Sequence, residues 1–73
     1  MAEFKYEIEE QVGILSENSS GWSRELNLIS WNGREAKYDI RDWAPGKEKM
    51  SKGISLSLEE VKILRELLNN LEV

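Results

Sequence analysis

Apolar and polar residues alternate with a period of two over the first two thirds of the chain, and the period then lengthens to that of a helix. Residues 3–15 place Phe4, Tyr6 and Ile8 on one side and Lys5, Glu7 and Glu9 on the other, with Val12 and Ile14 continuing the apolar parity. This predicts a half-buried strand, bent or bulged around Glu9-Glu10 or Gly13. Ser16-Glu17-Asn18-Ser19-Ser20-Gly21 reads as a loop. A second strand is expected over 22–31, with Leu26 and Leu28 sharing a face and Trp22 on the same parity, as a core or dimer contact. In the third, over Ala36 to Trp43, Ala36, Tyr38 and Ile40 point one way, and Lys37, Asp39, Arg41 and Trp43 the other.

The turn at Trp31-Asn32-Gly33 sets the register between these two strands. A two-residue Asn-Gly turn pairs Trp31 with Arg34 and sets Leu28 against Lys37, which mixes the faces. A three-residue loop ending in Gly33 with positive φ pairs Ser30 with Arg34, Leu28 with Ala36 and Leu26 with Tyr38, so the apolar residues agree. The second register is preferred. It puts Asn27, Ile29, Trp31, Lys37, Arg41 and Trp43 on, or at the rim of, the face away from the core.

Ala44-Pro45-Gly46-Lys47 predicts a type II turn, and residues 48–56 a fourth strand with Ile54 and Leu56 inward. Gly53 marks a bulge or a place where another backbone or a ligand comes close. Ser57-Leu58-Glu59-Glu60 is a capping box that opens a helix from about Leu58 to Leu71. Val61, Leu64, Leu68 and Leu71 form its main apolar stripe, while Ile63 and Leu67 form a second. One sheet needs only the first stripe. The second fits either a partner helix, most simply the same helix of another copy, or a broad stripe over a curved sheet. The fold expected is therefore α+β, a four-stranded curved antiparallel sheet followed by one C-terminal helix, dimeric.

Composition narrows the chemistry. Seventy-three residues make one small domain, without Cys or His to build disulfides, thiolate metal sites or common zinc sites. No cofactor is implied, and a nucleophile would have to be Ser or Lys under unusual activation, so an enzyme is not expected. The start Met1-Ala2-Glu3-Phe4-Lys5 has neither a basic nor an apolar run, and unbroken apolar runs reach only two residues. A cytoplasmic protein without membrane association is expected.

The net charge of −4 counts against nucleic-acid binding, but its distribution is uneven. Residues 1–33 carry two cations against six anions, whereas residues 34–52 carry six cations against four anions. Arg34, Lys37, Arg41, Lys49 and Lys52 of that basic segment suit phosphates; Trp31 and Trp43 suit unstacked bases, and Asn27 a base edge or sugar. The plainer reading of the same residues is a solvated strand face with one Trp capping the core.

The order Asp39-Ile40-Arg41-Asp42-Trp43, a Pro/Gly turn, Lys52-Gly53-Ile54-Ser55-Leu56 and a capped terminal helix resembles the positive cofactor four family of single-stranded-DNA-binding transcriptional coactivators. The short bacterial YdbC-type members are the most similar, over residues from about 22 to 71. Eukaryotic members carry an extra aromatic between the Asp-Ile-Arg-acid run and the Trp. The resemblance implies a homodimer gripping single-stranded DNA with little sequence preference. RNA would suit the same contacts, which ignore the 2′-OH. The alternative is a protein-interaction module whose acidic surface, Glu3, Glu7, Glu9 and Glu10, docks onto a basic partner in the transcription machinery such as RNA polymerase.

Overall fold

The computed structural model describes residues 5–73. Phe4 and Glu3, which the pattern assigns to the first strand and the acidic surface, lie outside them. Strands β1 (Tyr6–Glu17), β2 (Ser23–Trp31), β3 (Lys37–Trp43) and β4 (Ile54–Leu56) form one antiparallel sheet in chain order, followed by helix α1 (Leu58–Asn69). The α+β architecture expected from the pattern is the one observed.

β1 is irregular, as its sequence suggested, with register shifts between Ile8 and Glu10, Gln11 and Gly13, and Ile14 and Ser16. Each shift bends the strand and increases its twist. The bend has a large consequence. Trp31 and Trp43 lie at opposite ends of the β2–β3 hairpin, yet both touch the Tyr6 ring, at centroid distances of 5.6 and 5.5 Å. That contact requires a sheet curled so far that its two ends meet across a concave face.

The hairpin turn combines the two geometries weighed above. The Trp31 carbonyl accepts the Arg34 N–H at 3.0 Å, and Asn32 and Gly33 both have positive φ (52° and 76°), as an Asn-Gly turn of two residues demands. The ladder nevertheless pairs Ile29 with Lys37, Leu28 with Tyr38 and Leu26 with Ile40. Glu35 and Ala36 absorb an extra residue between turn and ladder. The face parity of the expected register is retained, while its partners are corrected by two residues along β3.

Ala44–Lys47 is the type II turn that Pro45-Gly46 predicts: the Ala44 carbonyl accepts the Lys47 N–H at 2.8 Å, and Gly46 has φ 76° and ψ −1°. The expected fourth strand is shorter than 48–56. Residues 44–53 form a strap beside β3, joined to it by a bridge between Trp43 and Met50 and by the Ser51 N–H to the Asp42 carbonyl, before β4 begins at Ile54. Ile54 is exposed and Leu56 half-buried, so neither is fully inward.

Gly53 is the close approach its position in the strand suggested. A Cβ there would collide with Cβ of Arg41 and stand 2.5 Å from the Ile40 carbonyl oxygen. Backbone cannot move aside as a flexible side chain can, so Gly53→Ala is expected to cost about 1–3 kcal/mol. Urea unfolding measures this; an unchanged midpoint would mean that the strap at Gly53 does not lie against Arg41 as described.

Ser57 Oγ accepts the Glu60 N–H at 3.2 Å and Glu60 Oε1 accepts the Ser57 N–H at 2.9 Å, closing the capping box. The helix lies over the face that carries Leu26 and Tyr38, where Val61, Leu64 and Leu68 line a shallow groove with them. This covering is partial. Leu26, Leu28, Tyr38, Ile40, Val61 and Leu64 are only half-buried, and Leu68 and Leu71 are exposed. Among the described residues the buried apolar side chains are Ile29 and Trp43, and both sit on the concave face.

Candidate nucleic-acid interface

The shared face of Asn27, Ile29, Trp31, Lys37, Arg41 and Trp43 follows from β-strand parity and is present in the ladder, where Ser23 opposes Trp43, Glu25 opposes Arg41, and Asn27 opposes Asp39. Its exposure differs from expectation. A flat sheet with a helix on one side would leave this face open, whereas the curl closes it on itself. Trp43 is 1% exposed, and Asn27 and Asp39 are fully buried, so Trp43 and Asn27 do not present themselves to a ligand as expected. Trp31 and Arg41 are half-buried, and Lys37, Arg34, Lys49 and Lys52 are exposed.

Two buried carboxylates organise this face, and each holds a cation against an indole. Asp39 accepts Nε and Nη2 of Arg41 at 2.6 and 2.7 Å and also the Ser55 hydroxyl at 3.0 Å. The Arg41 guanidinium, whose Nη1 donates to the Ser51 carbonyl and Met50 Sδ, lies 4.6 Å from the centroid of Trp31. Glu25 accepts Lys47 Nζ at 2.6 Å, Ser23 Oγ at 2.6 Å and Asn27 Nδ2 at 3.2 Å, while the same Nζ stands 5.5 Å from the Trp43 ring centroid. Burial pushes the Glu25 carboxyl up, but the hydrogen bonds from Lys47, Ser23 and Asn27, with the lysine charge, outweigh it and hold the group below the ordinary range. On the opposite face Arg24 pairs with Asp42 at 2.8 Å in solvent; that hydrogen bond lowers the Asp42 carboxyl and raises the guanidinium.

Residues 18–67 match the protein family described as Transcriptional Coactivator p15 (PC4). The chain belongs to that family. It is also 51% identical over 71 residues to an uncharacterized protein of Treponema pallidum (strain Nichols), an alignment that covers 97% of this chain and 84% of that one. The PC4 family is a non-enzymatic one that binds single-stranded DNA, and that binding is what the resemblance of the Asp39–Trp43 and Lys52–Leu56 stretches implied.

In this PC4-family chain the exposed cations flank the aromatic face at both ends. Arg34 and Lys37 follow Trp31 through the hairpin turn, and Lys49 and Lys52 ride on the strap beside Trp43 and Arg41. Sequence reasoning did not find Glu25, Lys47 or Tyr6 as members of the arrangement. Glu25 had a visible signal, because it shares parity with Asn27 and Ile29. Lys47 had none, since a type II turn says nothing of where its last residue docks. Trp22, expected in the core or at a dimer contact, is half-buried just ahead of β2, where its backbone N–H donates to Asn18 Oδ1 at 3.1 Å. Ile63 and Leu67 are 58% and 59% exposed on the free side of the helix. Among the described residues no helix is long and apolar enough to cross a membrane.

Proposed function

We propose that this chain binds single-stranded DNA with little sequence preference, as a homodimer that supports transcription, replication or repair. The observation that carries the reading is the placement of four exposed cations, Arg34, Lys37, Lys49 and Lys52, around the rim of an aromatic concave face on an otherwise acidic chain. Phosphates bring the strand to that rim, and Trp31 meets the bases there. Trp43, packed on Tyr6, and Asn27, bonded to Glu25, belong to the buried part of the same face rather than to its open rim. RNA satisfies the same contacts.

The homodimer reading rests on what the single chain leaves uncovered. Ile63, Leu67, Leu68 and Leu71 are exposed on α1, as are Val12, Ile14 and Leu15 on β1. A chain with so little buried apolar surface gains most from a second copy laid over the helix, with Ile63 and Leu67 at the contact and Trp22 at its edge. A second reading draws on the exposure of Glu7, Glu9 and Glu10 along the edge strand β1, which offers an acidic surface to a basic partner such as RNA polymerase.

One titration separates the two. Oligo-dT is expected to quench the tryptophan fluorescence, more strongly than duplex DNA at equal nucleotide concentration, with affinity falling steeply as salt rises. No quenching at low salt would leave the acidic-surface reading in possession. Sedimentation of the same sample is expected to give twice the chain mass, and Ile63→Glu with Leu67→Glu to abolish that species, because paired apolar surfaces do not accept unpartnered carboxylates.

A further inference from the structure

Arg41 looks at first like a phosphate contact, but its surroundings oppose that role. Two of its nitrogens are held by the fully buried Asp39 carboxylate, and a third by the Ser51 carbonyl and Met50 Sδ. Its side chain is only 14% exposed. Its charge is already paired with Asp39 at 2.6 Å, so the pair brings no net charge with which to displace a counterion condensed on a phosphate. What remains free to act is its shape. The plate lies against Trp31 on one side, at 4.6 Å, and Tyr6 leans on the same indole at 5.6 Å with an interplanar angle of 46°. Trp31 is thus clamped by two neighbours and stays half-exposed.

We infer that Asp39 and Arg41 form a positioning pair which fixes the Trp31 indole for base stacking, and that the pair serves nucleic-acid binding through that ring rather than by neutralising phosphate. This rests on the single-strand reading above. Asp39 positions Arg41, and Arg41 positions Trp31. Lysine cannot replace the arginine, since an ammonium lacks the fork that engages both carboxylate oxygens and the plane that lies on the ring. Lys47 on Glu25 repeats the arrangement at Trp43, but there the ring is buried and the result is packing rather than presentation.

The test uses the double variant Asp39→Asn with Arg41→Gln, which removes both charges together and leaves no buried charge unpaired. Oligo-dT affinity is expected to fall about tenfold, the scale of one impaired base–aromatic contact. The log–log salt slope should stay unchanged, whereas a lost phosphate contact would lower it by about 0.7. In a Trp31→Ala background the same double change should have little further effect, because its influence passes through the ring. Arg41→Lys, which keeps the charge, should lose as much affinity as the double variant. A slope lowered by one contact, an equal loss without Trp31, or full rescue by lysine would each overturn the inference. A separate readout needs no nucleic acid. In Trp22→Phe protein the accessible fluorescence comes from Trp31, and the double variant should raise its quenching by acrylamide. Unchanged quenching overturns the positioning pair even if oligo-dT proves not to bind, while raised quenching without binding removes only the single-strand reading.

Discussion

Trp43→Ala is expected to leave the chain largely unfolded at room temperature. The ring is 1% exposed, packs against Tyr6 at 5.5 Å and carries Lys47 over its face. Removing a buried indole costs about 3–5 kcal/mol when the surroundings cannot collapse into the space. Small domains hold little more than that in total. Collapse is hindered here, because the neighbours are a strand end, a second aromatic and an ion pair fixed to a buried carboxylate. Trp43→Phe should be far milder. Its ring keeps most of the contact, and the Trp43 Nε1 proton that it discards makes no hydrogen bond. Trp22→Ala, at a half-buried site outside the strand, should cost less than Trp43→Ala. Urea melts of the three variants decide the order. A folded Trp43→Ala protein with weakened oligo-dT binding would return Trp43 to the ligand-facing role that an open sheet would have given it.

Replacing Arg34, Lys37, Lys49 and Lys52 together by Ala should nearly abolish single-strand binding at moderate salt. All four are exposed, in contrast to Arg41 and Lys47, whose charges are committed to Asp39 and Glu25. Each phosphate contact contributes about 0.7 to the log–log salt slope for single strands, so losing all four should flatten it by about 2.8. The fold should survive, since surface cations without buried partners contribute little to stability. Fluorescence titrations at three or four salt concentrations give the slope directly. A slope unchanged in the fourfold variant would place the nucleic acid elsewhere on the chain.

Local chemistry determined much of this protein without help from tertiary contacts. Ser57 and Glu60 cap the helix because both partners lie within one turn of each other. Pro45-Gly46 makes a type II turn, and Asn32-Gly33 takes up positive φ, because few other residues adopt those torsions at low cost. The alternation from Lys37 to Trp43 assigned each side chain to its face, since period two survives any bend in the strand. The Asp39–Trp43 and Lys52–Leu56 stretches were likewise enough to point to the family.

Which face is buried was not a local matter. Three irregularities in β1 curl the sheet until Tyr6 meets both Trp31 and Trp43, and only that closure turns a polar-looking face into the interior. Leu26, Leu28, Tyr38 and Ile40, the better hydrophobic stripe by composition, end only half-buried, with the helix over Leu26 and Tyr38. Glu25 and Asp39 are buried because cations from the type II turn and from the same strand face arrive to neutralise them. A pattern of apolar and polar positions assumes that charge stays in water. Here paired charges go inside, because the curl delivers each carboxylate a partner and so offsets the cost of removing it from solvent.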